Sequence, residues 1–146
     1  MPVHLVKLSV GSESIRDHQD WVRQRLAAKR AAGEKKPEYM HRTRMVPRRL
    51  EELLDGGSMY WVIKGQIMAR QVIRDIRPFV DNDGISRCHI VMHPKMEPVV
   101  PRPMRPFQGW RYLTVEAAPK DLTAGAGALA EMPEALRREL AELGLL

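Results

Sequence analysis

The stretch from Met59 to Ile76, Met-Tyr-Trp-Val-Ile-Lys-Gly-Gln-Ile-Met-Ala-Arg-Gln-Val-Ile-Arg-Asp-Ile, constrains the fold more than any other part of the 146-residue chain. It is crowded with β-branched and aromatic side chains, which fit a pleated surface and lose rotamer freedom in a helix. Gly65 interrupts it, so the run predicts two strands or one bent strand, with the glycine at a turn or bulge. Beyond Pro78, Asp81-Asn-Asp-Gly84 is a turn signal and Ile85 to His93 resumes a strand, which makes 70–93 a β-hairpin. In that second strand Cys88, Ile90 and Met92 share the face expected to be buried, while Arg87, His89, Val91 and His93 share the other.

The rest of the chain supplies elements to cover such a sheet. His4 to Val10 alternates enough to read as a short strand ending at Gly11. Ser14 with Asp17 resembles a capping box, and Ile15, Val22 and Leu26, with Trp21 beside them, give a helix a partial apolar stripe that stops at Gly33. Its other face carries Arg16, Arg23, Arg25, Lys29 and Arg30. Residues 34–46 show no clean period and read as an exposed basic connection. Pro47 suits the first position of a short helix with Leu50, Leu53 and Leu54 inward and Gly56-Gly57 at its end. The proline-dense segment from Pro94 to Pro106 predicts an extended edge that cannot be a central strand. Phe107 to Val115 is a further strand candidate. Residues 117–130 read as an Ala/Gly-rich linker, and Leu136, Leu140 and Leu143 stripe a C-terminal helix.

A chain of this length can bury its own core, and 44% hydrophobic with 29% charged residues excludes wholesale disorder. One cysteine, Cys88, excludes an internal disulfide framework and a multi-cysteine zinc site. No apolar run is long enough for a membrane span and the opening strand lacks a signal-peptide core, so the expectation is a cytoplasmic protein. The net charge of +6 favours polyanionic partners. It is uneven: residues 1–120 carry 22 Lys+Arg against 13 Asp+Glu, and residues 121–146 carry 2 against 5. The acidic C-terminal helix could therefore pack in cis, engage another protein or pair with a second copy.

Binding RNA needs cations for phosphates and flat faces for unpaired bases. Arg42, Arg44, Arg48 and Arg49 cluster before the strand-rich region, Lys64 and Arg70 lie within it, and Arg105 and Arg111 flank Trp110; these, with Trp61 and Trp110 as stacking faces, form the candidate nucleic-acid surface. His89 and His93 sit about 13 Å apart in a strand, too far for one ion, so no metal is expected. Cys88 and His89 point to opposite faces and cannot form an activated pair. Neither Asp55-Gly-Gly-Ser58 nor Thr123-Ala-Gly-Ala-Gly127 matches a phosphate-binding loop, and no cofactor is implied.

Three stretches, Leu5-Val-Lys-Leu-Ser9, Arg49-Leu-Glu-Glu-Leu-Leu-Asp-Gly-Gly57 before Tyr60-Trp-Val-Ile63, and Arg111-Tyr-Leu-Thr-Val-Glu-Ala-Ala-Pro119, resemble the opening strand, barrel entry and closing strand of the PUA-like superfamily, particularly its EVE and ASCH branches. Gly56-Gly-Ser-Met-Tyr-Trp-Val-Ile-Lys-Gly65 and Arg105-Pro-Phe-Gln-Gly-Trp-Arg-Tyr-Leu113 resemble more closely a family of short, basic alphaproteobacterial proteins known only as a domain of unknown function. The superfamily resemblance implies an α+β fold: a small, partly closed mixed β-barrel over residues 1–120, flanked by an N-terminal helix and a short second helix, with residues 121–146 as linker and C-terminal helix. It implies binding of RNA or a modified base. ASCH-like hydrolases of modified nucleosides use a lysine with a polar residue and a carboxylate, which makes Lys64, with Glu51, Glu52 or Asp75, the catalytic candidate under an enzymatic alternative.

Overall fold

The computed structural model describes residues 2–121. Seven strands and two helices follow in the order β1 (His4–Leu8), α1 (Ile15–Ala31), β2 (Tyr39–Thr43), α2 (Leu50–Leu54), β3 (Ser58–Ile63), β4 (Gln66–Val80), β5 (Ser86–Met92), β6 (Glu97–Pro103) and β7 (Trp110–Leu113). The expected C-terminal helix and residues 122–130 of the expected linker lie outside the described residues. Among the described residues no helix is long and apolar enough to cross a membrane.

The strands form one mixed sheet in the order β2-β5-β4-β3-β1-β7, with β6 off this path on β4. It is not closed into a barrel. Only β1 and β3 run parallel, with Leu5 opposite Met59. The fifteen-residue β4 is shared: β3 pairs with its first half, β6 takes the other edge of that half, and β5 runs along its second half. Past Ile73, then, one edge of β4 has no partner strand among the described residues, and Pro78, which has no N–H to donate, is tolerated there opposite Cys88. The prolines of β6 are accepted because that strand's ladder runs along β4, while its other edge meets only the isolated bridge from Val99 to Asp121.

Strand alternation separates two apolar faces. Leu5, Met59, Trp61, Ala69, Ile73, Cys88, Ile90 and Met92 point to one side, where Val22 of α1 and Leu53 of α2 cover them. Val6, Tyr60, Val62, Ile67 and Leu113 point to the other and pack beneath Val99 and Phe107. Each fully buried side chain of this size contributes about 1.5–3 kcal/mol relative to its exposed state.

Local sequence explains most element boundaries. Ser14 is the N-cap of α1 and its Oγ accepts from Asp17 N at 3.0 Å, while the chain leaves the helix through Gly33 at φ +99°. The turn between β3 and β4 is Lys64-Gly65, both at positive φ (50° and 79°), so the interruption in the founding run is a two-residue hairpin turn and not a bulge. Asp81 Oδ1 accepts from the backbone N–H of Asp83 and Ile85 and closes the next hairpin.

Two local expectations are corrected. Residues 34–46 contain strand β2, whose inward residues Tyr39 and Thr43 are buried, so only part of that segment is an exposed connection. The second helix begins at Leu50, not Pro47, and is held by Gly57, where a Cβ would lie 2.4 Å from the backbone oxygens of Leu53 and Val3.

Candidate functional site

A cleft of about 600 Å³ opens where the end of β1 and its loop (Lys7 to Ser12) meet the first turns of α1, with β2 and β3 behind. Alternation on β1 turns Lys7 to the same side as Leu5, and alternation on β2 brings Tyr39 and His41 together. Trp61 of β3 lies behind them at 2% exposure, and Trp21 of α1 stands at the rim at 42%. Asp17, His18, Asp20 and Gln24 complete the helix side.

The walls are interlocked rings. The His18 ring centroid lies 4.6 Å from that of Trp61, His41 meets Trp61 edge-on at 5.6 Å, and Trp21 meets Tyr39 edge-on at 6.0 Å. One face of Trp21 carries the Arg25 guanidinium at 4.8 Å. Trp61 is fixed from behind: its Nε1 donates to Gln71 Oε1 at 2.9 Å, and Gln71 Nε2 donates to the His93 carbonyl at 3.1 Å. Ser9 Oγ and His18 Nδ1 are 2.8 Å apart. Two buried polar atoms of these walls, His18 Nε2 and Tyr39 Oη, have no hydrogen-bond partner among the described residues.

Burial governs the protonation of the site. Desolvation lowers His18 to about 4, against a smaller opposing effect of Gln71, whose carboxamide approaches the ring without completing a bond to Nε2. His41 is also lowered to about 4, by burial first and then by the charges of Lys7, His18 and Arg25. Both rings are therefore neutral at pH 7. Burial holds Lys7 below the ordinary lysine range and pushes the Tyr39 hydroxyl above the ordinary phenol range. The cleft offers flat faces and neutral hydrogen-bonding groups within, and charges at its edge. Among the described residues no group of three or more His, Cys, Asp or Glu could hold a metal ion.

Of the residues expected from sequence, only Trp61 lines this cleft. Trp110 is buried elsewhere, its Nε1 donating to the Met45 carbonyl at 3.0 Å, and it packs edge-on against Tyr112. Arg42 projects outward from β2, and Arg44 is exposed just beyond it. The backbone N–H groups of Arg48 and Arg49 both donate to Tyr112 Oη, while the Arg49 guanidinium pairs with Glu52 and lies 5.3 Å from the Tyr112 ring centre. Arg70 is clamped by Asp121 through two bonds of 2.8 and 2.7 Å and donates to Ser58 Oγ. Arg105 is exposed, and Arg111 lies over Phe107 at 4.8 Å, on the opposite side of the sheet from α1.

Lys64 sits at the hairpin tip, 3.8 Å from Glu13. Its expected carboxylate partners are engaged or remote in sequence from it: Glu52 binds Arg49, Asp75 binds Arg77, and Glu51 lies on α2. The residues that sequence reasoning missed are Lys7, Ser9, His18, Tyr39 and His41. The one local signal for them is the spacing of His18 and Trp21, three residues apart on one helix face.

No curated protein and no solved structure matches the chain. A family model described as "Protein of unknown function (DUF1489)" matches residues 5–146, and the chain belongs to that family.

Proposed function

We propose that this protein is a PUA-like RNA-binding domain that takes an unpaired base, ordinary or modified, into the cleft between α1, the β1–α1 loop and β2. The observation that carries the reading is the wall of interlocked rings around a space of ligand-pocket size, with Trp21 exposed at its mouth. Single-stranded nucleic acid is held by stacking on such faces and by cations along the backbone. Here Lys7 lines the cleft, Arg25 lies over the Trp21 ring at its rim, and Arg42 and Arg44 lie exposed on and just beyond β2. Arg48, Arg49, Arg105 and Arg111 lie outside the lining of the cleft and would act on longer RNA, through phosphates. Two features favour the PUA-like assignment: a mixed sheet organised on one long shared strand, and helices packed on one of its faces.

Titration of short single-stranded RNA at about 0.05 and 0.15 M salt, followed by Trp fluorescence, tests the reading. Trp21→Ala is expected to weaken binding by about 10-fold or more, the equivalent of roughly 1–3 kcal/mol of stacking. The double change Arg42→Ala, Arg44→Ala is expected to lower the salt slope. Absence of binding at the lower salt, or binding indifferent to Trp21, overturns it.

A further inference from the structure

We infer that Ser9 and His18 form a nucleophile–base pair that gives the cleft acyl-transfer chemistry, the hydrolysis of an activated ester bearing a flat aromatic group. The aromatic preference rests on the base-binding reading; the pair itself does not.

The geometry is that of an activated hydroxyl. Ser9 Oγ lies 2.8 Å from His18 Nδ1, Ser9 is partly exposed at the end of β1, and both residues border the cleft. The opposite ring nitrogen, Nε2, has no partner among the described residues, and the pair is active in the tautomer that carries the proton there. Gln71 has its nitrogen engaged by the His93 carbonyl, and its oxygen, which accepts from Trp61, retains a second lone pair. The side chain of Gln71 works against desolvation and favours the protonated ring, the form that the reaction passes through. With the proton on Nε2, Nδ1 is the acceptor and the Ser9 hydroxyl is the donor, the arrangement in which a neutral imidazole can take the hydroxyl proton. Trp61 packs against the His18 ring at 4.6 Å between centroids and is itself held by Gln71, so the ring is oriented by packing and not by a hydrogen bond to Nε2. The loop Val10-Gly11-Ser12, with Gly11 at φ +83°, borders the same space.

The reaction balances without an external oxidant or reductant. Ser9 Oγ bonds to the acyl carbon as its proton passes to His18 Nδ1. The bond to the leaving alcohol breaks, and that alcohol departs with the proton from the imidazolium. Water, deprotonated by the same nitrogen, then attacks the acyl-serine and releases the carboxylic acid and the free hydroxyl.

Incubation of the full chain with a fluorophosphonate probe, followed by peptide mass spectrometry, tests the proposal. The expected result is one adduct on Ser9 that is absent from Ser9→Ala and forms at least about 100-fold more slowly in His18→Gln. With Lys7, Asp17, Asp20 and His41 in the same walls, the labelling rate is expected to stay flat from pH 8 to about 5 and to fall as His18 takes a proton near 4. No adduct under conditions that label a serine hydrolase to completion, or an adduct that survives Ser9→Ala, overturns the pair. Trp fluorescence titration of the unlabelled wild-type protein reads base binding separately, so either reading can fail while the other stands.

Discussion

His18 and His41 are ordinary histidines made unusual by where they are placed, and acid is the reagent that exposes the placement. In the folded chain each titrates at about 4, against 6.5 for a free imidazole. Between those values the unfolded chain binds more protons than the folded one, so stability is complete above about pH 6.5 and declines as pH falls toward 4. Each histidine accounts for roughly 3 kcal/mol across that window, and His4 and His89 shift in the same direction. Paired carboxylates such as Asp81 and Asp121 are held below their usual range and begin to act only below about pH 5, so the interval from 6.5 to about 5 belongs to the imidazoles. Urea unfolding at pH 7, 5.5 and 5 should show a steadily falling midpoint, and an unchanged midpoint would contradict the burial assigned to both rings. These residues were hard to find in the sequence for a physical reason. A lone histidine in a charged helix and another in an irregular basic segment have no local periodicity, and only the crossing of α1 over β1, β2 and β3 joins them. Trp61 was legible as an aromatic in a strand, but whether it faced a cleft or only core depended on the helix that covers it.

At the scale of elements, the hairpin tip offers the clearest contest between effects. Lys64 occupies a positive-φ position that disfavours a side chain with a bulky Cβ environment, and its ion pair with Glu13 joins two groups that are 52% and 78% exposed. The backbone term of up to about 1 kcal/mol outweighs an exposed pair worth a few tenths. Lys64→Asn should therefore stabilise the protein by up to about 1 kcal/mol, read as a higher urea midpoint with an unchanged slope; a lower midpoint would mean that the ion pair dominates. Strands with strong turn signals were legible: Asp81-Asn-Asp-Gly84 marked the β4–β5 hairpin, and the alternation of Cys88, Ile90 and Met92 assigned its buried face. Strand β2 was not, because lysines, a glutamate and a proline precede it and its outward Arg42 masks the alternation of Tyr39, His41 and Thr43. Its identity depends on Tyr39 through Thr43 finding Met92 through Cys88, a partner about fifty residues away.

For the molecule as a whole, β4 is the common member. It alone pairs with three other strands, and Arg70 on it also receives Asp121, the last residue of the described chain, while Val100 N donates to the Lys120 carbonyl beside that junction. Local opening is cheapest where a segment has the fewest partners. In hydrogen exchange, amides of Ile67 to Val72 should be the slowest, and those of β2 and β7 at the two ends of the sheet faster; equal protection across all strands would count against this hierarchy. The position of β1 has a different consequence, one of timing. Leu5 faces Met59 on one side and Tyr112 on the other, so β1 is an interior strand synthesised before both of its neighbours. At about 5–20 residues per second, β1 spends on the order of ten seconds on the ribosome with at least one edge unfilled. Its Lys7, and the early arrival of α1 to cover its apolar side, are what that interval leaves it for protection against pairing with the wrong strand.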